Sequence, residues 1–236
     1  EAAASTVCDW SKTALDPENA YQLLDRAFFE FISARPRPKH IQVPISVLGA
    51  LAKPSLDPIK INLNKLDQPH LHEQVADELS VARRVIVIVG GGCVAASIEL
   101  RFLIEKIGAA SFSTYAGRGV INDNNKLYFG ATLARADSVH EFAQADLVLA
   151  IGTTLSEVDL WRNHIGHNCK LIRVDIDPSQ LGDQHKSDLT IMADAKTFIA
   201  GVNSKLKEVT INSDWDEGYI KKIAYKHLTL PTPPHC

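Results

Sequence analysis

The sequence has few cysteines, little net charge and no long apolar run. Its four cysteines lie far apart, and no two form a C-x-x-C pair, which argues for reduced thiols rather than a disulfide framework or a zinc site. The net charge of −3, without a basic run, argues against nucleic acid or an anionic membrane as a partner. The apolar runs are too short to span a bilayer, and the first residues lack the pattern of a signal peptide.

What the 236 residues do contain is an ordinary globular composition, 45% hydrophobic and 22% charged. This length allows one large domain, or one domain and part of another. The first residue is not Met, so we expect a chain that is processed or is part of something longer. The cysteine usage predicts a cytoplasmic location.

The most informative stretch is a run of β-branched residues, Val85–Val89, followed by Gly90, Gly91 and Gly92. Such a run predicts a buried parallel strand that ends in a tight turn, and the pattern over Ala95–Ile107 predicts a helix behind it. A strand, a glycine turn and a helix N-terminus together favour a phosphate site, because unpaired main-chain N–H groups point at the anion. Close strand–helix packing without a ligand is the alternative, and the glycine spacing alone does not decide between them.

Further strands alternate with helices along the chain. This alternation predicts an α/β fold, a Rossmann-like parallel sheet with helices on both faces, preceded by an α-β fragment. The predicted strands are residues 85–89, 110–114, 146–152, 170–177 and 189–192, and the predicted helices are residues 71–82, 95–107, 137–144 and 195–207.

Glycines, hydroxyls and acids follow the predicted strands. Because the carboxyl ends of parallel strands share the edge where α/β proteins bind ligands, this set suits a nucleotide: amides for phosphate, Asp175 or Asp177 for ribose hydroxyls, and Arg118 for charge. Capping of a helical turn near Ser179 is the alternative role for the two aspartates. The candidate cofactor-binding residues are Gly90, Gly91, Gly92, Thr114, Gly117, Arg118, Gly152, Thr153, Asp175, Asp177 and Asp194.

The opening of the chain carries less information. Residues 1–15 show no pattern, Asp16 and Pro17 predict the start of a helix that ends near Ser33, and His40–Pro44 predicts a short strand. One helix and one strand cannot bury their own apolar faces, so we expect a fragment that needs a partner. The expected apolar face of the helix consists of Leu23, Leu24, Ala27, Phe28 and Phe31.

Other candidate sites are weaker. His164 with His167, and His70 with His72, have spacings that would seat a metal, but without carboxylate or cysteine partners they are better interpreted as loop histidines, and no metal site is predicted. Cys93 follows the glycine turn, where a helix N-terminus would lower its pKa. A small packed residue is the better interpretation of that cysteine.

Several segments resemble, in order, the middle of thiamine-diphosphate-dependent enzymes of the acetolactate synthase and 2-oxo-acid decarboxylase group. Residues 35–44 (RPRPKHIQVP) are similar to the end of the family's pyrimidine-binding domain, and Val85–Gly92 to the opening of its central domain. Thr114–Gly119 resembles the T-x-x-G-K-G turn, with Arg118 in the lysine place. Residues 145–152 (ADLVLAIG), 174–178 (VDIDP) and 193–195 (ADA) resemble the segments ADLVLAIG, IDIDP and GDA.

The resemblance implies a domain layout and a set of partners. Residues 1–52 would be the C-terminal fragment of a pyrimidine-binding domain, 53–69 a linker, 70–208 the central Rossmann-like domain, and 209–236 a linker towards a missing diphosphate-binding domain. The opening looks closest to decarboxylases that act on guanidino-bearing 2-oxo acids. The intact enzyme would use thiamine diphosphate and Mg²⁺ on a 2-oxo acid, and would form a homodimer or homotetramer with all its domains present.

The departures from the family pattern matter equally. A complete member has a catalytic glutamate early in the pyrimidine-binding domain and a GDG…N motif for the magnesium diphosphate. Neither is expected within this sequence, so no catalytic residue is assigned and the chain alone is expected to be inactive.

Two further alternatives concern other ligands. Members that bind FAD carry a G-x-R-x-x-D segment, whereas residues 152–157 read GTTLSE, so FAD or ADP binding stays open beside a structural role. A sirtuin-like deacylase shares the fold, but it needs a four-cysteine zinc insert that this cysteine spacing excludes.

Overall fold

The computed structural model describes residues 1–54, 68–206 and 213–220. The chain divides into two compact units, Glu1–Lys65 and Leu66–Cys236, which we call unit 1 and unit 2. The predicted linkers over residues 53–69 and 209–236 lie mostly outside the described residues. Within the described ranges, no helix is both long and apolar enough to cross a membrane.

Unit 1 is built on a β–α–β arrangement. Strand β1 (Trp10–Thr13) precedes helix α2 (Pro17–Ser33) in the chain, and strand β2 (Lys39–Gln42) follows it. The two strands pair in parallel. The short helices α1 (Ala2–Ser5) and α3 (Ile45–Leu48) lie before β1 and after β2. The predicted helix and strand are confirmed, with the Asp16 carboxylate accepting a hydrogen bond from the Asn19 N–H at 2.7 Å.

Residues 1–15 contain strand β1, which the sequence analysis did not predict. Strand β1 reads WSKT, which has no apolar alternation, and it is formed because all four residues pair with β2, 29 positions further along the chain. Long-range pairing of this kind leaves no local signal in a four-residue strand.

The apolar face of α2 is mostly not buried. Of its side chains only Ala27 is buried, and Phe28 remains 60% exposed. A polar cluster does more of the packing: the Glu30 carboxylate accepts hydrogen bonds from the Trp10 indole and the Arg26 guanidinium, both at 2.7 Å, and pairs with the Lys39 ammonium at 2.7 Å.

Unit 2 contains a five-stranded sheet in which every paired strand is parallel. The order is β4-β3-β5-β6-β7, which confirms the predicted α/β class. The strands are β3 (Val85–Val89), β4 (Ala110–Ser113), β5 (Leu147–Ile151), β6 (Lys170–Asp175) and β7 (Leu189–Met192), and the helices are α4 (Pro69–Val81), α5 (Ser97–Ile107), α6 (Ser138–Ala143), α7 (Glu157–Leu160), α8 (Pro178–Leu181) and α9 (Ala195–Lys205).

Both faces of this sheet carry a core. On one face α4, α5 and α9 pack on Val87, Leu149 and their neighbours. On the other, α6 and the loop after β5 cover Ile88 and Phe112. Every residue of β3 is buried because side chains of both orientations meet a layer.

The helix expected from Ala95 begins differently. A 3₁₀ helix occupies Gly91–Ala96, and α5 starts at Ser97. Of the apolar positions that indicated this helix, Ile104 is buried but Ile98 and Phe102 are exposed.

Two side chains near the ends of the described part of unit 2 bond to opposite ends of the strands. At the start, the Gln68 side chain donates a hydrogen bond to the Met192 carbonyl at the carboxyl end of β7, at 3.3 Å. Near the other end, the Trp215 indole donates to the Val85 carbonyl at the amino end of β3, at 2.9 Å. Trp215 is itself buried.

Candidate functional site

All the predicted site residues lie at or just beyond the carboxyl ends of the unit 2 strands. Within the sheet, β4 lies next to β3 on one side, and β5, the next strand in the chain, lies next to β3 on the other side. A reversal of this kind opens a crevice between the two strands where α/β proteins bind ligands. Gly90 follows β3 and Gly152 follows β5, so both glycines lie at this crevice.

The glycines close the crevice with their own backbones. A Cβ at Gly90 would lie 2.0 Å from the Gly152 carbonyl oxygen, and one at Gly92 would lie 2.8 Å from the Gly152 Cα. Gly152 also has a φ of +59°, a backbone angle that residues other than glycine rarely adopt. Glycine is therefore required here for contact between two turns of the protein.

The amides of Gly90 and Gly92 are paired within the protein, contrary to the expectation for these two groups. The Gly90 N–H donates to the Ile151 carbonyl at 2.9 Å, and the Gly92 N–H donates to the Gly152 carbonyl at 3.0 Å. The Gly152 N–H in turn donates to the Val174 carbonyl at 2.8 Å. These bonds support the alternative of close packing, since an anion would have to displace them to reach the same N–H groups.

The turn after β4 is held in a similar way. A Cβ at Gly117 would lie 2.1 Å from the Val89 carbonyl oxygen, and the Gly117 N–H donates to the Thr114 carbonyl at 3.1 Å. The exposed Arg118 guanidinium lies over the Tyr115 ring, 5.4 Å from its centroid. Through the Arg118 guanidinium, this cation–π pair presents a positive charge to solvent at the carboxyl edge of the sheet.

The loop after β5 contains two strained residues that the sequence does not signal. Leu155 and Trp161 have φ values of +49° and +53°, and the Thr153 hydroxyl accepts a hydrogen bond from the Leu155 N–H at 3.0 Å. Trp161 is 74% exposed. Strain of this kind costs roughly 1–3 kcal/mol per residue and is held by the surrounding loop.

The acidic residues of the edge stabilise local turns. The Asp177 carboxylate caps α8 by accepting hydrogen bonds from the Ser179 N–H at 3.0 Å and hydroxyl at 2.7 Å, so the capping alternative is confirmed for it. The Asp175 carboxylate accepts from the Asp177 N–H at 2.9 Å. Asp194 caps α9 through the Thr197 N–H at 3.1 Å.

Cys93 is a packed thiol. Its Sγ lies 3.3 Å from the Ile151 carbonyl oxygen, and burial raises its pKa to about 12. A thiol with that pKa stays protonated at neutral pH, which agrees with the packed interpretation and not with an activated nucleophile.

Two of the four histidines differ from the loop interpretation. His70 and His72 lie in α4, and His72 is buried, with its ring 5.8 Å from that of Phe198 and directly against Gly201. His164 and His167 do lie in a loop. Over residues 1–54, 68–206 and 213–220, no group of three or more His, Cys, Asp or Glu side chains is arranged to hold a metal ion.

These contacts bear on which cofactors the residues at the carboxyl ends of the strands could hold. No thiamine diphosphate contact is assigned to the described residues, among which no cluster of three or more acidic, histidine or cysteine side chains is placed to hold its metal ion. That the predicted site residues contact FAD or ADP stays a prediction.

Comparison with known proteins gives the family. The sequence pattern described as "Thiamine pyrophosphate enzyme, central domain" matches residues 72–202. "Probable 2-ketoarginine decarboxylase AruI" of Pseudomonas aeruginosa is 34% identical over 209 residues, which is 88% of this chain and 37% of that protein. "Acetolactate synthase 1, chloroplastic" of Oryza sativa subsp. japonica is 29% identical over 212 residues, 86% of this chain and 33% of that protein.

The chain thus spans about a third of the length of these curated relatives. The matched range begins within α4 and ends within α9, so it coincides with the sheet of unit 2 and its helices. The chain therefore belongs to the thiamine pyrophosphate enzymes, and unit 2 is their central domain.

Proposed function

We propose that unit 2 is a structural spacer in a thiamine-diphosphate-dependent enzyme that decarboxylates a 2-oxo acid or joins the acyl unit to a second carbonyl compound. The observation that carries this proposal is the use of the strand-end groups by the protein itself. The glycine amides donate to neighbouring carbonyls, and the aspartates cap turns and helices. Thiamine diphosphate supplies the carbanion sink when the intact enzyme binds it.

The substrate class follows from similarity alone. Of the two relatives described above, the one with the higher identity is named for 2-ketoarginine, and the opening of the chain looks closest to the guanidino-2-oxo-acid decarboxylases. We therefore propose a 2-oxo acid with a guanidino group as the substrate of the intact enzyme. Unit 1 would be the end of its pyrimidine-binding domain, and the enzyme would assemble as a homodimer or homotetramer.

A decarboxylation assay tests the proposal. The purified 236-residue chain is incubated with thiamine diphosphate, Mg²⁺ and 2-ketoarginine, and CO₂ release is measured against the polypeptide encoded together with its neighbouring coding regions. We expect release by the longer polypeptide and none by the chain alone. Release by the chain alone would refute the spacer role.

A nucleotide-binding regulatory module is the second candidate. The exposed Arg118–Tyr115 pair favours it, because a guanidinium on an aromatic ring beside glycine turns suits a phosphate and a base. Measuring the melting temperature with FAD, ADP and NAD distinguishes the regulatory module from the structural spacer. A saturable rise in melting temperature that Arg118→Gln abolishes would support the module, whereas no shift with any of the three would leave the spacer.

A further inference from the structure

A cavity of about 520 Å³ lies away from the glycine turns, beside the first residues of β6. Its walls come from the loop over residues 163–168, from α6, and from residues 184–186 before β7. Its volume falls within the range of small-molecule sites. None of the predicted site residues lines it.

The lining divides into a basic part and an aliphatic part. Its ionisable residues are His164, His167, His185 and Lys186, and no acidic residue is among those that line it. The side chains of Val139, Ala143, Ile165 and Leu171 supply the aliphatic part. A cation beside an aliphatic wall matches a ligand that has a negative group and an apolar body.

His167, one of the lining residues, carries a ring nitrogen that is buried and has no partner. The His167 Nδ1 is buried without a hydrogen bond, although buried polar atoms of proteins are nearly always paired. Burial lowers the pKa of His167 and of His185, so both rings are neutral at pH 7. A neutral ring gains a hydrogen bond from any polar group that enters the cavity.

A metal ion is the less suitable occupant. Although three histidines line the cavity, the described part of the chain has no metal-holding group of three side chains. A metal would also leave the aliphatic wall without a contact.

We propose that this cavity binds a small carboxylate with a branched aliphatic body. The exposed Lys186 ammonium would pair with the carboxylate, and the aliphatic part of the lining would cover the body. Such a site is independent of the spacer role, because no residue of the glycine turns takes part in it.

Titration of the whole 236-residue chain with 3-methylbutanoate tests the proposal. Imidazole ¹⁵N–¹H NMR spectra report His167 and His185 directly, and we expect saturable shifts at millimolar concentrations. Lys186 is exposed, so Lys186→Gln folds normally and should weaken binding about tenfold, the loss expected for one charge-assisted contact. Lys196→Gln, on the exposed surface of α9, is the matched control and should leave binding unchanged.

Two further arms separate the parts of the site. Ala143→Leu adds three carbons at the wall and should abolish binding while the protein remains folded by circular dichroism. Inorganic phosphate, which lacks an apolar body, should bind at least tenfold more weakly than the carboxylate. Absence of saturable shifts with 3-methylbutanoate, or equal affinity for phosphate, would overturn the proposal.

Discussion

Units 1 and 2 use the same β–α–β pattern but complete it differently. In unit 2 five strands lie between helices on one face and a helix with a covering loop on the other, so every residue of β3 is buried. In unit 1 two strands and α2 leave most apolar side chains of the helix in solvent. The comparison teaches that a sheet with a layer on each face buries the apolar side chains that face it, whereas unit 1 buries little of α2 and joins it to the strands through charge pairs.

Gly90→Ala is expected to give the largest effect. The added Cβ would lie 2.0 Å from the Gly152 carbonyl oxygen, so two turns must separate, at a cost of about 3 kcal/mol in the free energy of unfolding of unit 2. Urea unfolding followed by circular dichroism measures it.

The matched control is Gly49→Ala in unit 1. There the nearest atom is 3.8 Å away, so the free energy of unfolding should change by less than about 0.5 kcal/mol. Equal losses for the two variants would contradict the close contact at Gly90.

Arg173→Met should give the next largest effect. The Arg173 side chain is 1% exposed and pairs with the Asp183 carboxylate at 2.6 Å, so its removal leaves a partly buried carboxylate without its cation. Because Asp183 keeps some contact with solvent, we expect a loss of about 2–3 kcal/mol, measured by thermal and urea unfolding.

Arg26→Met in unit 1 tests the same change at the surface. Its guanidinium pairs with the Glu30 carboxylate at 2.7 Å but is half exposed, and pairs of this kind contribute about 0–1 kcal/mol. A larger loss for Arg26→Met than for Arg173→Met would reverse the comparison between the units.

Acid should destabilise unit 1 through Glu30. Hydrogen bonds from Lys39, Arg26 and Trp10 lower the pKa of this carboxyl from 4.5 to about 2. Since the folded-state pKa is the lower one, its contribution is complete above about pH 4.5 and is lost as the pH falls towards about 2. The NMR signal of the Trp10 indole N–H, which donates to Glu30, should shift as the pH falls through about 2.

Glu30→Gln is the control for the acid experiment. It removes the titrating group, so the pH dependence of the Trp10 signal below pH 4.5 should disappear. A signal that shifts equally in both proteins would show that another group controls unit 1 in acid.

Phe28→Ser should give the smallest effect. The ring is 60% exposed on α2, so its removal should change the free energy of unfolding by less than about 0.5 kcal/mol. Urea unfolding measures it, and a loss above about 1 kcal/mol would mean that this face of α2 is packed.

The sequence predicts the parts of both units that depend on local pattern. The β-branched run Val85–Val89 and the alternation after it define the sheet, and Asp16 and Asp177 are recognisable caps because their side chains bond to residues two or three positions away. The fold class and the family follow from such signals.

The remaining features depend on distant contacts. The amides of Gly90 and Gly92 are paired because Ile151 and Gly152 meet them from another strand, 60 or so residues along the chain. The cavity beside β6 combines three separate segments. The neutrality of His167 is set by burial, which its neighbours in the sequence do not reveal.

The bonds at the two ends of unit 2 have a mechanical consequence. Gln68 is attached at the carboxyl end of β7, and Trp215 is attached at the amino end of β3. With about 3.3 Å per residue, strands of five residues hold these attachment points roughly 17 Å apart along the strand direction. A pull on residues 68 and 215 would therefore act along the strands, and these two single side-chain hydrogen bonds would carry the load before the ladders did.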